Sequence, residues 1–363
     1  INLVTLIKII KKILQKYFKF FTYKIFKIIY GEIDGKISHL DNREIKLEKV
    51  KIDKDFYEVF GCQNSSLYTN RVYDTAIIKN NKIVDGPSFQ LRNGYYKNCL
   101  ENSVLNIGTP RLKKVLKGKV LSLLTGGGGN SNYWHWLLDV LPRIKIFNNS
   151  KNKKNIDYFL LPSLKADFQK ETLDLLEIES NKRLSSVNYR HIYAEEIITT
   201  SHPYILLNDP YLDSLNIPTW IIDFLRSNFL KKALMKSKIK NFPERIHING
   251  KDATALRYIV NLKKVENVLE NEKFTDLTMS NFSFVDQVAL FYNAKKIAGL
   301  HGAGFANIVF CKPGTKIIEM RTSTTGDIIK NFALKNQLVH YNINSEPTTI
   351  KFGNQEGDIE IDL

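Results

Sequence analysis

The chain has 363 residues, 43% of them hydrophobic and 25% charged, with a formal net charge of +16. This composition argues against disorder, and the length exceeds what one hydrophobic core usually holds, so two domains are expected. Cys62, Cys99 and Cys311 form no CxxC pair and are odd in number, which argues against a disulfide framework and fits a reducing compartment.

Residues 1–30 carry seven lysines and no acid, nearly half of the excess charge. Lys8, Lys12, Lys16 and Lys19 recur at helical spacing, with Ile, Leu and Phe on the other side. The stretch reads as a basic amphipathic helix lying on an anionic membrane surface, in preference to one docked on protein. Its lysines interrupt every apolar run well short of the roughly 20 residues that a spanning helix needs. They also recur through the apolar region, unlike those of a cleaved leader.

From residue 31 to about 117 the pattern is short and extended, with a strand at 45–52 and a hairpin of 71–78 and 82–84 turning on Asn80-Asn81. Asp53-Lys54-Asp55 is formally a D-x-D metal signature, but it lies in a lysine-rich turn and reads as chance. A strand at 119–124 leads into a loop containing Gly127, Gly128 and Gly129, which suits close approach of a ligand. The helix expected at 133–147 follows, carrying YWHWLLDVLPRIKIF. His135 and Asp139 are four residues apart and share one helix face, an arrangement that orients an imidazole as a general base or packs a histidine among tryptophans. Pro142 predicts a kink near Leu138. Strands at 158–161 and 196–200 and helices at 167–178 and 218–236 alternate as in a parallel α/β sheet.

The segment 237–243 marks the expected boundary, giving domains 31–237 and 238–343, with 1–30 as a separate helix and 344–363 as a tail. Past it, strands at 245–248, 274–279, 296–300, 316–320 and 338–343 alternate with helices at 261–274, 283–293 and 327–337. Between two of these strands, His301, Gly302, Ala303 and Gly304 turn the backbone into a short apolar helix. A helix N-terminus with adjacent glycines suits a phosphate, and ligands collect at the carboxyl edge of such sheets. The expected fold class is therefore α/β, with two Rossmann-like domains facing a cleft.

Three stretches together, RIHINGKDATALR, FSFVDQVALFYNAKKIAGLHGAGFANIVFCKPGTKIIE and NYWHWLLDVLPRI, resemble glycosyltransferase family 61. The resemblance implies a GT-B fold and inverting sugar transfer without a bound metal ion or a separate cofactor. It also implies a nucleotide-sugar donor and a glycan or lipid-linked glycan acceptor, as in capsular or surface polysaccharide synthesis. With the basic arm, it suggests a cytoplasmic enzyme peripheral on the inner face of the cell membrane. Where such proteins usually carry Ser-Arg this chain has Asn249-Gly250, so Lys251 or Arg257 is expected to supply positive charge to the donor phosphates. Phe305 and Ala306 replace the usual leucine and threonine, and Asn307 is kept.

On this reading His301 and the 302–304 backbone hold the donor diphosphate, with Asn307 also on the donor side. Glu319 accepts the ribose hydroxyls, unless it is only a strand-end carboxylate in water. The base is His135 oriented by Asp139, or Asp139 itself. Two alternatives stay open: a pyruvyl transferase using phosphoenolpyruvate, and a non-catalytic glycan- or membrane-binding relative. Nucleic acid is not an expected partner, since the charge beyond residue 30 forms no evident stripe.

Overall fold

A computed structural model describes the chain except residues 1–2, 71–73, 93–94, 125–131, 152–154, 207–208, 254–256 and 350–356, and the side chains of residues 3, 4 and 92. The chain divides into two compact units that interleave along the sequence. One comprises residues 1–130, 146–163 and 182–202, the other 131–145, 164–181 and 203–363. The single boundary expected at 237/238 is thus not where the chain divides. The helical stretch before it belongs with the C-terminal residues, and Phe229 meets Phe284 edge-on with ring centroids 5.3 Å apart.

The first unit begins with helix α1 (Leu3–Tyr30) and continues with strands β1 (Lys36–Ile37), β2 (Ile45–Ile52), β3 (Asp55–Thr69), β4 (Thr75–Lys79) and β5 (Lys82–Val84). Asn80 and Asn81 both adopt positive φ, 50° and 56°, as the expected two-residue turn between β4 and β5 requires. Asp53, at φ 53°, turns β2 into β3, so the D-x-D sequence is the bend of a hairpin. A small hairpin of β6 (Gln90–Arg92) and β7 (Tyr95–Lys97) precedes β8 (Lys114–Ser122), β9 (Tyr158–Leu161), β10 (Arg183–Ser185) and β11 (His191–Thr200).

The main sheet of this unit runs β1-β5-β4-β3-β11-β8-β9-β10, with β2 also on β3. Its β11-β8-β9-β10 half is parallel, as the alternation of strands and helices leads one to expect. The other half departs from a Rossmann sheet. The 15-residue β3 takes antiparallel partners on both edges, β2 and β4 on one side and β11 on the other. Cys62, Leu67, Ile77, Val120, Leu160 and Ile197 from five of these strands form the buried centre.

The second unit holds β12 (Arg245–Ile248), β13 (Thr275–Leu277), β14 (Lys296–Leu300), β15 (Lys316–Thr322) and β16 (Val339–Ser345). These strands are all parallel, in the order β13-β12-β14-β15-β16. In chain order that is 2-1-3-4-5, a doubly wound sheet whose order reverses between β12 and β14. Helices α2 (Leu262–Asn271) and α3 (Phe284–Asn293) make the first two crossovers. Ile297, Ala298 and Ile317 are wholly buried, as befits parallel strands covered on both faces. The end of the tail packs on this unit, where Ile359 and Ile361 join Ile259, Val265 and Met320.

Candidate active site

The reversal of strand order sets two chain segments side by side. Strand β12 runs out through Asn249, Gly250 and Lys251, and β14 runs out through His301 and Gly302 into a tight helix, Ala303–Phe310. The first N–H groups of a helix have no intrahelical acceptor, so those of Ala303 and Gly304 are available to an anion. Gly250 holds φ at 65°, which favours glycine at that bend. Asn249 is tied down by hydrogen bonds of its Nδ2 to Asp276 Oδ2 and Thr278 Oγ1, both 2.9 Å. Lys251 is exposed at this edge, with Nζ 3.5 Å from Asp276 Oδ2. Arg257 donates from Nη1 to the His301 carbonyl at 2.5 Å and so braces the turn.

The glycines of the turn have different tasks. A Cβ on Gly304 would lie 3.2 Å from Ile248 Cγ2, and one on Gly299 would lie 3.2 Å from Ile248 Cβ, so Gly299 lets β14, and Gly304 the start of the helix, pack closely on β12. A Cβ on Gly302 would meet only the Leu300 carbonyl at 3.6 Å. We therefore expect Gly304→Ala to cost about 1–3 kcal/mol of stability through overpacking. Gly302→Ala should melt like the parent protein yet bind an anionic ligand more weakly. Thermal melts paired with ligand titration check both.

Behind the turn, His301 Nδ1 meets Glu319 Oε1 at 2.5 Å, and His340 Nε2 meets Glu319 Oε2 at 2.9 Å. Arg321 Nη1 lies 3.9 Å from the same carboxylate. Glu319 is wholly buried with both oxygens taken, so it does not present itself to ribose hydroxyls. Its position corrects the expectation: it lies mid-strand in β15, paired with Gly299, and faces the interior. Burial pushes its carboxyl pKa up, but the hydrogen bonds from the two histidines and the nearby positive charge outweigh that and hold it below the ordinary range. Glu319 thereby fixes His301 by Nδ1 and leaves Nε2 for a ligand.

The HWLLD helix belongs to this same unit. It starts at Tyr133–His135, capped by Asn132, whose side chain accepts from the Trp134 N–H at 2.9 Å. It widens to π geometry over Trp136–Val140 and resumes at Pro142–Asn148. Proline has no N–H to give to Leu138, so the ladder loosens one turn before it, where the kink was expected. His135 Nδ1 lies 2.5 Å from Asp139 Oδ2, and Tyr204 Oη donates to Asp139 Oδ1 at 2.6 Å. Arg143 Nε adds a 2.9 Å bond to the Asp139 carbonyl. Asp139 is only 2% exposed, whereas the His135 side chain is 41% exposed. Burial disfavours the imidazolium, but the Asp139 carboxylate overcomes this and raises the His135 pKa. Of the two candidates for the base, the accessible one is thus the histidine, with the aspartate locked behind it.

Asn307 has a different role from the one expected. It is wholly buried; its Oδ1 accepts from Tyr133 Oη at 2.6 Å and its Nδ2 donates to Gln287 Oε1 at 2.9 Å. It therefore joins the HWLLD helix to the helix after the His301 turn and to α3, and has no amide atom facing a ligand. Tyr133, Tyr204, Gln287 and His340 were not anticipated as site residues. Tyr133 and Gln287 carried a signal, their places within the NYWHWLLDVLPRI and FSFVDQVALFYN stretches. Gly127, Gly128 and Gly129 lie outside the described residues. Among the described residues no group of three or more His, Cys, Asp or Glu side chains is gathered as a metal site.

A parallel sheet with a helix start at its order reversal, backed by a carboxylate-held histidine, defines an α/β protein with an anion-suited ligand site. The sequence profile of the Glycosyltransferase 61 family matches residues 133–318, just over half of the chain, from the HWLLD helix through the His301 turn. The chain belongs to this glycosyltransferase family, whose reaction joins a sugar donor to an acceptor. No curated protein matches it.

Proposed function

We propose that this protein is an inverting glycosyltransferase of GT-B type that takes its sugar from a nucleotide-sugar and passes it to a glycan or lipid-linked glycan. Synthesis of a surface or capsular polysaccharide is the setting that best suits such an acceptor. The observation that carries this reading is the placement of the 301–304 turn at the strand-order reversal, where the helix start and His301 suit a diphosphate.

His135 Nε2 takes the proton of the acceptor hydroxyl as that oxygen bonds to the anomeric carbon. The bond from that carbon to the diphosphate breaks on the opposite face, which inverts the centre. Negative charge then grows on the diphosphate, and the Ala303 and Gly304 N–H groups, His301 Nε2 and the cations of Lys251 and Arg257 meet it in place of a metal ion. Asp139 and Tyr204 hold the base in its working tautomer.

A thermal-shift panel of UDP-, GDP-, dTDP- and CMP-sugars together with phosphoenolpyruvate tests the reading, followed by product analysis for each compound that binds. Stabilisation by at least one nucleotide-sugar and formation of a glycosylated product are expected. Stabilisation by phosphoenolpyruvate alone would replace sugar transfer with pyruvyl transfer.

A further inference from the structure

The surface of α1 is divided more sharply than its composition requires. With successive residues about 100° apart around a helix, Lys8, Lys11, Lys12, Lys16 and Lys19 fall together on one arc with Thr5, Gln15 and Thr22. Leu6, Ile10, Ile13, Leu14, Tyr17 and Phe21 fall on the opposite one. Every residue from 5 to 21 is exposed, including Leu14 at 63% and Phe18 at 75%. Apolar side chains in such number on one face mark a surface built to be covered.

The base of α1 shows which side faces away from its own unit. Tyr30 meets His191 edge-on with centroids 5.0 Å apart, its hydroxyl accepts from the Lys113 N–H at 3.0 Å, and Lys113 Nζ sits 4.5 Å above its ring. Thr22, Tyr23, Phe26, Lys27 and Tyr30 are the partly buried residues there, and they lie on or beside the arc that holds lysines further out. The apolar arc therefore continues outward along the whole helix, through Ile25 at 53% exposed and Ile28 at 85%. Lys24 stands within that arc, at the same angle as Leu6, with its Nζ 4.6 Å from the Phe20 ring. Among the described residues no helix is long and apolar enough to cross a membrane.

We infer that α1 is a docking surface for an anionic lipid bilayer, lying in the plane of the interface with the apolar arc in the acyl boundary. Charge selects this occupant. A second copy would bring the same seven lysines and no acid against the first, and a helix pair needs only a narrow apolar seam, not an arc reaching about half of the circumference. Anionic headgroups attract the lysines at the flanks while the apolar arc leaves water.

The test uses the full chain and vesicles of phosphatidylcholine, with or without phosphatidylglycerol, in a sedimentation assay. The protein should sediment with the anionic vesicles, far less with phosphatidylcholine alone, and progressively less as salt is raised. Lys12→Gln with Lys16→Gln should weaken partitioning about 30-fold, from roughly 1 kcal/mol per basic residue near the surface. Leu14→Glu with Phe18→Glu should abolish it while the melting temperature holds, because both side chains are exposed. Undiminished vesicle binding by that second variant would overturn the inference. So would concentration-dependent self-association lost in that variant, if the parent chain binds no vesicles.

Discussion

His135→Ala is expected to lower turnover by about 10²- to 10⁴-fold, the range for losing a positioned general base, while affinity for the nucleotide-sugar stays near that of the parent. His135 hydrogen-bonds Asp139 and belongs to the HWLLD helix, whereas the diphosphate is assigned to the turn after β14, so binding and chemistry separate in the measurement. The pH profile adds a second readout. The base must be neutral, and Asp139 raises its pKa, so activity should climb with pH through a limb above the ordinary histidine range. Asp139→Asn removes the charge that raises it, and the limb should move to lower pH as the rate falls. A profile unmoved by Asp139→Asn would detach the pair from the chemistry. The same shift acts on stability with the opposite pH sense: the bonus from the charged pair is full below the unfolded histidine pKa and fades as pH rises through the folded one.

Glu319→Ala is expected to cost about 3–5 kcal/mol of stability, because it strands His301 and His340 around a buried hole without their carboxylate. Urea unfolding of this variant and of Glu319→Gln measures the effect, and the amide, which keeps the volume and loses the charge, should fall between alanine and parent. Because the folded carboxyl is held below its ordinary range, its contribution is present above the unfolded value near 4.3 and disappears as pH drops through the folded value. The gap between parent and Glu319→Gln should therefore close on acidification. A gap that is constant with pH would mean that the carboxylate acts by shape alone.

Much of the second unit was legible because its strands are short apolar runs separated by amphipathic helices, and each expected strand from 245 onward is found within a few residues. The Asn80-Asn81 turn and the loosening before Pro142 were legible for equally local reasons. Strand β3 was not. Its middle reads Gln63-Asn64-Ser65-Ser66, a polar run that resembles a turn, yet Ser65 and Ser66 are 1% and 8% exposed because strands flank them on both sides. Long-range pairing overrode local preference there. Glu319 went astray for a related reason: every position of a covered parallel strand is interior, so periodicity cannot separate the crevice from the core. His340, its second partner, lies in a strand whose other residues are largely exposed, and nothing in VHYNINS marks it out. Asn307 illustrates a different trap, since a motif asparagine beside a ligand turn serves as a cross-link between helices.

The interleaving of the two units bears on how the chain can be made and cut. The second unit needs residues 131–145 and 164–181, which leave the ribosome before the strands that they join, and Glu171 of the latter stretch accepts from the Phe284 N–H at 2.7 Å. During synthesis these early pieces wait, with Trp134 lacking the Phe332 ring that lies against it, until residues beyond 300 emerge. A fragment that starts at residue 238 would lack the tyrosine that holds Asn307 and the phenylalanine that lies against Phe284. No single peptide bond separates a self-sufficient half from the remainder, and limited proteolysis or truncation should yield either the intact protein or aggregation-prone pieces.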